Sequence, residues 1–244
     1  MEEFYIHAKA PFAAFRYFQA GNYRSTMPTL PPSVAYGLLL NLATIEMRCQ
    51  LEAATTQIKP SSRNFTYESE DSIPIFSLAI GDVLPALPGS SYQQLHTYPV
   101  GDSSKHLAPA TKGAKYHILP TRREFLLNLD IVIAVRSDLP GLQSRIQDGL
   151  AGKFNEKRYG LPFAGDNNFL FDSIEVYEEP PVEAFWYSVV QEDEVPESET
   201  CRLTVGIDRS NNSNTTAPLF ARDLEKSQFP PSNAWVWTPK EVTT

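Results

Sequence analysis

The run E-F-L-L-N-L-D-I-V-I-A-V, from Glu124 to Val135, constrains this chain more than any other stretch. Its apolar density and β-branched residues predict a strand, the strongest in the sequence, and such a strand belongs at the centre of a sheet. The other elements must then be its neighbours or the cover for its faces.

They follow in a recognisable order. Phe4 to Ala10 alternates as a strand, with Phe4, Ile6 and Ala8 on one face and Tyr5, His7 and Lys9 on the other, and it ends at Pro11. The spacing of Leu38, Leu42, Ile45 and Cys49 predicts a helix from Ser33 to about Gln50, in which Gly37 would let another backbone come close. Residues Glu52 to Ser72 are polar and irregular, and Ile73 to Val83 reads as a second strand. From Leu84 to Thr121 the chain carries prolines at 85, 88, 99, 109 and 120, too long a connection to be a plain loop. Its ends, Tyr92–Tyr98 and Lys115–Leu119, are expected to pair as a protruding hairpin. After the central strand, Asp138–Pro140 opens a helix through Leu150 with Leu142, Ile146 and Leu150 as its stripe. A glycine-punctuated loop then leads to a strand at Phe169–Val176. Strand, helix, strand, inserted hairpin, strand, helix, strand is an α+β order, the ferredoxin-like pattern of RNA-recognition domains. An aromatic RNP1-type strand is missing, so loops rather than a stacked sheet face would have to bind RNA. Residues 181–244 are expected to add irregular strands, at Phe185–Val190 and Cys201–Ile207, and a docking tail with Trp235 and Trp237 to the domain formed by residues 1–180.

One junction stands out chemically. G-N-Y-R-S-T-M-P-T-L-P-P-S-V-A-Y-G-L-L-L-N, from Gly21 to Asn41, joins a polar, basic loop to an apolar helix. Proline is tolerated at a helix entrance, Ser33 is placed to act as N-cap, and Arg24 lies just upstream of amides that attract phosphate. Phe12, Phe15, Tyr17, Phe18 and Tyr23 are interleaved with Arg16 and Arg24, a mixture suited to unpaired bases and phosphate.

The net charge of −8 at first opposes that reading. Its distribution does not. Between Ser173 and Arg202 nine acids face the single base Arg202, which accounts for the whole net charge. That stretch reads as a solvated face or a contact for a basic partner. Lys9 to Arg24 holds three bases and no acid; Lys105 to Arg123 holds Lys105, Lys112, Lys115, Arg122 and Arg123 with His106 and His117 and no acid. Local field governs the encounter with a polyanion. Two cysteines, Cys49 and Cys201, without ligand spacing argue against a metal or disulfide, and no cofactor is expected. With neither a signal peptide nor an apolar run of spanning length, the expected compartment is the cytoplasm.

F-R, then seven residues, then R-S-T-M-P-T-L-P-P-S-V-A-Y-G-L-L-L-N-L resembles the N-terminal signature of the fifth Cas protein family. That family is the RAMP-type subunit of type I CRISPR effector complexes (Cascade). R-Y-G-L-P-F-A-G-D-N-N-F-L, from Arg158 to Leu170, is similar to the glycine-bearing loop of its Myxan, or DevS-like, branch. The resemblance implies a ferredoxin-like palm with an inserted thumb, here about residues 84–121. It implies binding of the 5′ handle of CRISPR RNA, thumb contact with the adjacent backbone subunit, and help in docking the large subunit that senses the protospacer-adjacent motif on target DNA. Carried onto this chain, the palm loop holds Arg16 and Arg24, the helix start Ser33 and Tyr36, and the thumb Lys105, Lys112, Lys115 and His117. The glycine loop holds Lys157, Arg158 and Tyr159.

Two alternatives are kept beside this non-enzymatic reading. One is metal-independent cleavage of precursor CRISPR RNA, with Tyr36, Lys115 and His117 (or Lys105 with His106) activating a 2′-hydroxyl. The other is an interaction protein that uses its acidic face and binds no RNA.

Overall fold

The computed structural model describes residues 1–17, 23–45, 74, 76–96, 118–155, 160–193, 195–207, 213 and 215–238. In chain order these form β1 (Glu2–Ala13), β2 (Tyr23–Arg24), α1 (Pro32–Leu42), β3 (Phe76–Leu84), β4 (Leu87–His96), β5 (Ile118–Ser137) and α2 (Leu142–Leu150). There follow β6 (Ser173–Tyr177), β7 (Phe185–Val189), β8 (Thr200–Arg202), β9 (Leu219–Arg222), a 3-10 turn at Ser232–Ala234 and β10 (Val236–Thr238). The architecture is α+β, a mostly antiparallel sheet with few helices. None of the described helices is long and apolar enough to cross a membrane.

The predicted central strand is central, and longer than its sequence signal. β5 runs for 20 residues. On one side it pairs with β1 from Leu126 to Ser137; on the other it pairs with β3 from Asp130 to Ser137 and with β4 from Ile118 to Leu127. The sheet order is β6-β1-β5-β3-β7-β9-β8, with β10 beside β3 and with β2 and β4 beside β5. The β4–β5 pair is the expected hairpin in a different register: Tyr92 lies opposite Arg122 and His96 opposite Ile118. Its arms reach 96 and 118, and its tip lies outside the described residues. Asn128, with φ 56°, occupies the left-handed region that asparagine tolerates. At that residue the buried set changes parity, from Leu126 to Leu129, Ile131, Ile133 and Val135.

One face of the sheet packs on the helices. Phe4, Ile6 and Ala8 of β1, Phe76, Leu78 and Ile80 of β3 and Ile131, Ile133 and Val135 of β5 meet Leu38, Leu39 and Leu42 of α1 and Leu142 and Ile146 of α2. The alternation predicted for β1 is therefore correct, and Tyr5 is buried on the opposite face. That face is filled by the C-terminal segment: Ala184, Trp186 and Ala234 pack on Tyr5, Ala79, Val132 and Ala134. Arg136 lies 3.7 Å from the Trp235 ring centroid, a cation–π contact, and β10 pairs with β3. The face of the sheet away from the helices is thus covered by the chain's own aromatic residues.

The helices depart from expectation in three ways. α1 stops at Leu42, with Thr44 at φ 55°, and Arg145 Nε donates to the Ala43 carbonyl at 2.6 Å, closing the helix end with a positive charge. The buried stripe of α2 is Leu142, Ile146 and Gly149, whereas Leu150 is 37% exposed. The close backbone approach assigned to Gly37 occurs at Gly149 instead. A Cβ on Gly37 would meet nothing within 4 Å, while one on Gly149 would lie 1.8 Å from the Leu42 carbonyl oxygen.

A buried carboxylate ties the proline-rich loop to the C-terminal strands. Asp82 accepts from the Thr29 hydroxyl at 2.6 Å and from the Tyr187 hydroxyl at 2.8 Å. Burial pushes its carboxyl up to about 6, against the lowering effect of those two hydrogen bonds and of Arg222. A raised acid favours folding fully below its unfolded value, and that advantage is lost as pH rises through about 6. Asp82→Asn, which keeps the shape without the charge, is expected to stabilise the protein at pH 7 by up to about 3 kcal/mol and to leave it unchanged near pH 4. Urea melts at both pH values check this; equal shifts at the two would show that the ionised form bears no burial cost.

Candidate nucleic-acid interface

Arg122 and Arg123 are consecutive in a strand, so they point to opposite faces of the sheet. β2 runs parallel to β5 and places Tyr23 opposite Arg122 and Arg24 opposite Arg123. β4, on the other side, places Tyr92 opposite Arg122 and Ser91 opposite Arg123. Residues directly opposed share a face. The three strands thus form a two-sided strip, with Arg24 and Arg123 on one side and Tyr23, Arg122 and Tyr92 on the other.

The first side is closed by the glycine loop. Asp166, its side chain 3% exposed, accepts from Arg16 Nη2 at 2.8 Å and from Arg123 Nη2 with its Oδ2. Its Oδ1 accepts from the Asn168 backbone amide at 3.1 Å and side-chain amide at 3.0 Å. Burial works to raise this carboxyl, but the Asn168 amide and the two guanidinium groups prevail and hold it below the usual carboxylate range. Arg123 also donates to Gln93, and Arg24 keeps its Nε buried with no hydrogen-bond partner among the described residues. Gly165 makes the loop's approach possible: its φ is +79°, and a Cβ there would lie 2.2 Å from the Ala14 carbonyl oxygen. The Ala14 amide donates to the Ala164 carbonyl at 3.0 Å, and Arg16 bridges to Thr26. Two motifs whose contacting residues lie 150 apart in sequence, the arginine loop and the glycine loop, meet here.

On the second side Arg122 donates to Ser90 Oγ through Nε at 3.3 Å and Nη2 at 3.1 Å, and its guanidinium carbon lies 5.8 Å from the Tyr23 ring centroid. The Tyr23 hydroxyl donates to Glu124, whose other oxygen receives the Thr26 amide at 3.3 Å, so β2 is pinned to β5 by side chains as well as by backbone. That hydrogen bond raises the Tyr23 phenol above its ordinary value. Tyr23 is 45% exposed and Tyr92 77% exposed.

Two sequence-assigned positions are corrected. Ser33 is not the N-cap; Pro31 is, Pro32 enters at the first turn, and no side chain caps the helix. The Ser33 amide donates to the Thr204 carbonyl at 3.0 Å, while Val34 and Ala35 donate to Pro31. With proline at 32 and those amides committed, this helix entrance offers no anion-binding amide. Tyr36 is buried core: it is 7% exposed, stacks against Phe76 and donates to the Pro74 carbonyl at 2.7 Å. Burial drives its phenol far above the ordinary range. Tyr36 is therefore out of a ligand's reach, while Ser33, half-buried, has no amide to offer one. Arg16, Arg24 and Arg123 are brought together, and Arg122 is set on the other face. Lys105, Lys112, Lys115, His117, Lys157, Arg158 and Tyr159 lie outside the described residues. The acids of the 173–202 segment that are described, Glu175 to Glu199, are all exposed.

Sequence reasoning missed Asp166 as the anchor of the cluster and Tyr92 as the partner of Arg122. The hairpin register would have found the second, because a shift of a few residues decides what lies opposite Arg122.

No protein-family model matches this chain, and no curated protein matches it. A solved structure described as a CRISPR RNA-guided surveillance complex contains a chain that superposes at TM-score 0.55 with 13% identity, over 95% of this chain and 92% of that chain. A Cas protein gives a TM-score of 0.43 at 10% identity, over 91% of this chain and 93% of its own. A CRISPR protein from Archaeoglobus fulgidus gives 0.42 at 10% identity, over 97% and 91%. The likeness at 0.55 spans nearly the whole of both chains and establishes a shared fold; fold alone does not carry a ligand. The two looser superpositions add nothing to it.

Proposed function

We propose that this chain is the subunit of a type I CRISPR effector complex that holds the 5′ handle of the CRISPR RNA. The observation that carries this is the cationic cluster on an acidic chain. Arg16, Arg24 and Arg123 gather on one face where the hairpin leaves the sheet and Arg122 lies on the other, with Asp166 and Glu124 the acids among them. Arginines fix phosphates by bidentate contact, and a single-stranded handle leaves base edges and faces free. The fold supports the same reading. The stretch β6-β1-β5-β3, with α1 between β1 and β3 and α2 between β5 and β6, has the strand order of a ferredoxin-like RAMP palm. The β4–β5 pair is then the base of the thumb, directed at the adjacent backbone subunit. The large subunit is the second protein partner, target DNA is met near the protospacer-adjacent motif through it, and the complex works in the cytoplasm. The role is binding rather than catalysis; the burial of Tyr36 removes one group from the ribonuclease alternative.

Arg24→Ala is expected to weaken binding of repeat-derived RNA about tenfold and to lower the salt slope of binding by about one counterion, without lowering thermal stability. Fluorescence anisotropy at several salt concentrations, alongside a melt, measures both. Unchanged affinity would make the loop a structural entrance only.

A further inference from the structure

We infer that Tyr92, Arg122 and Tyr23 form a stacking platform for unpaired RNA bases, on the face of the strip opposite the Asp166 cluster. This rests on the RNA-binding reading above and specifies what part of the RNA that face takes. The three residues occupy neighbouring strands at one level, Tyr92 opposite Arg122 in β4–β5 and Tyr23 opposite Arg122 in β2–β5. The row therefore spans two interstrand spacings, roughly 10 Å. All three side chains are exposed, Tyr92 at 77% and Tyr23 at 45%. Tyr92, and the part of the Tyr23 ring that Arg122 does not cover, leave aromatic area in water for a ligand to take.

Two members of the row are also held in place. Ser90 fixes the Arg122 guanidinium from the strand beside it, and Glu124 fixes the Tyr23 hydroxyl from below. Ordered planar groups lose little freedom on binding. Tyrosine rings and guanidinium planes both stack on any base, so the contact reads a π face and not a sequence. The opposite face differs in kind. There Arg123 is held inward by Asp166, and the half-exposed Arg16 is the cation that suits phosphate. The two faces thus divide the work: Arg16 on the backbone side, Arg122 on the base side.

The test uses the full chain, a short labelled oligoadenylate and an abasic ribose-phosphate strand of the same length. Wild type is expected to bind oligoadenylate about tenfold tighter than the abasic strand. Tyr92→Ala and Tyr92→Leu should both abolish that preference, Tyr92→Phe should keep it, and none should alter the salt slope. Tyr92 is too exposed for these changes to endanger the fold. Equal binding of the two strands by wild type would overturn the platform and leave the phosphate reading intact. Binding of neither strand would overturn the RNA reading and the platform together. A preference retained by Tyr92→Leu would show an apolar surface of the kind that meets a protein, and would equally overturn the platform.

Discussion

Asp166→Ala is expected to cost the fold about 3 kcal/mol. The carboxylate is almost fully buried and receives both Arg16 and Arg123. Arg123, at 12% side-chain exposure, has little access to water and, among the described residues, would keep Gln93 as its side-chain acceptor. Removing one partner of a buried pair leaves an uncompensated charge, which is where the cost of about 3–5 kcal/mol arises. Arg16 is 43% exposed and would turn into solvent, so its share is small and the total falls at the lower end. The same change frees the Asn168 amide groups and loosens the turn that follows Gly165. Urea titration should show a lower midpoint at unchanged slope. The effect should also depend on pH in a fixed direction. A carboxyl lowered by folding contributes stability above its unfolded value, near pH 4, and loses it as pH falls through the folded value. The gap between wild type and Asp166→Ala should therefore narrow as the solution is acidified. A loss under about 1 kcal/mol at pH 7 would mean that the Ala14–Ala164 backbone contact holds the loop by itself.

Gly149→Ala is expected to lower the melting temperature by about 10 °C. The methyl group would be placed 1.8 Å from the Leu42 carbonyl oxygen and 3.3 Å from Phe154 Cε2. The first obstacle is backbone, which no rotamer change can clear, so α2 and the end of α1 must separate. Overpacking costs about 1–3 kcal/mol, and here, where backbone has to move, about 4 kcal/mol is expected. Separation would also stretch the 2.6 Å bond from Arg145 to Ala43. Alanine's better helix propensity returns about 1 kcal/mol, leaving a net loss near 3 kcal/mol. Gly37→Ala is the control: with nothing within 4 Å on an exposed helix face, it should gain about 1 kcal/mol. If the two substitutions behaved alike, the close approach of the helices would not be limiting.

The contrast between those glycines marks how far sequence reasoning reached. Helical spacing placed both α1 and α2, but it carried no information on which of their faces would touch. Gly37 was assigned the close contact because it lies in the longer apolar run; the contact fell at Gly149 because Arg145 and Leu142 dock α2 across the end of α1. Ser33 failed for a similar reason. A serine after two prolines is a good N-cap by local rules, and it lost that role because Pro31 already occupied the cap position. Its amide was then taken by Thr204, from a segment 170 residues away that local patterning could not connect to it.

What the sequence determined by itself was local and periodic: the central strand, the inward face of β1, the pairing of the chain before residue 97 with that after 117, the proline entrance of α1, and the order of basic stretches and the acidic 173–202 segment along the chain. Each follows from side-chain alternation, proline geometry or charge order, all of which act over a few residues. Tertiary structure alone decided which cations share a face. Arg123 joins Arg16, Arg24 and Asp166, while Arg122, its neighbour, joins Tyr23 and Tyr92. That division depends on strand register, set jointly by the bulge at Asp82–Leu84, the left-handed Asn128 and the closure of the glycine loop at Gly165. A slip of one residue would exchange the two faces, and nothing within a single strand prevents it; only the packing of all the strands together does.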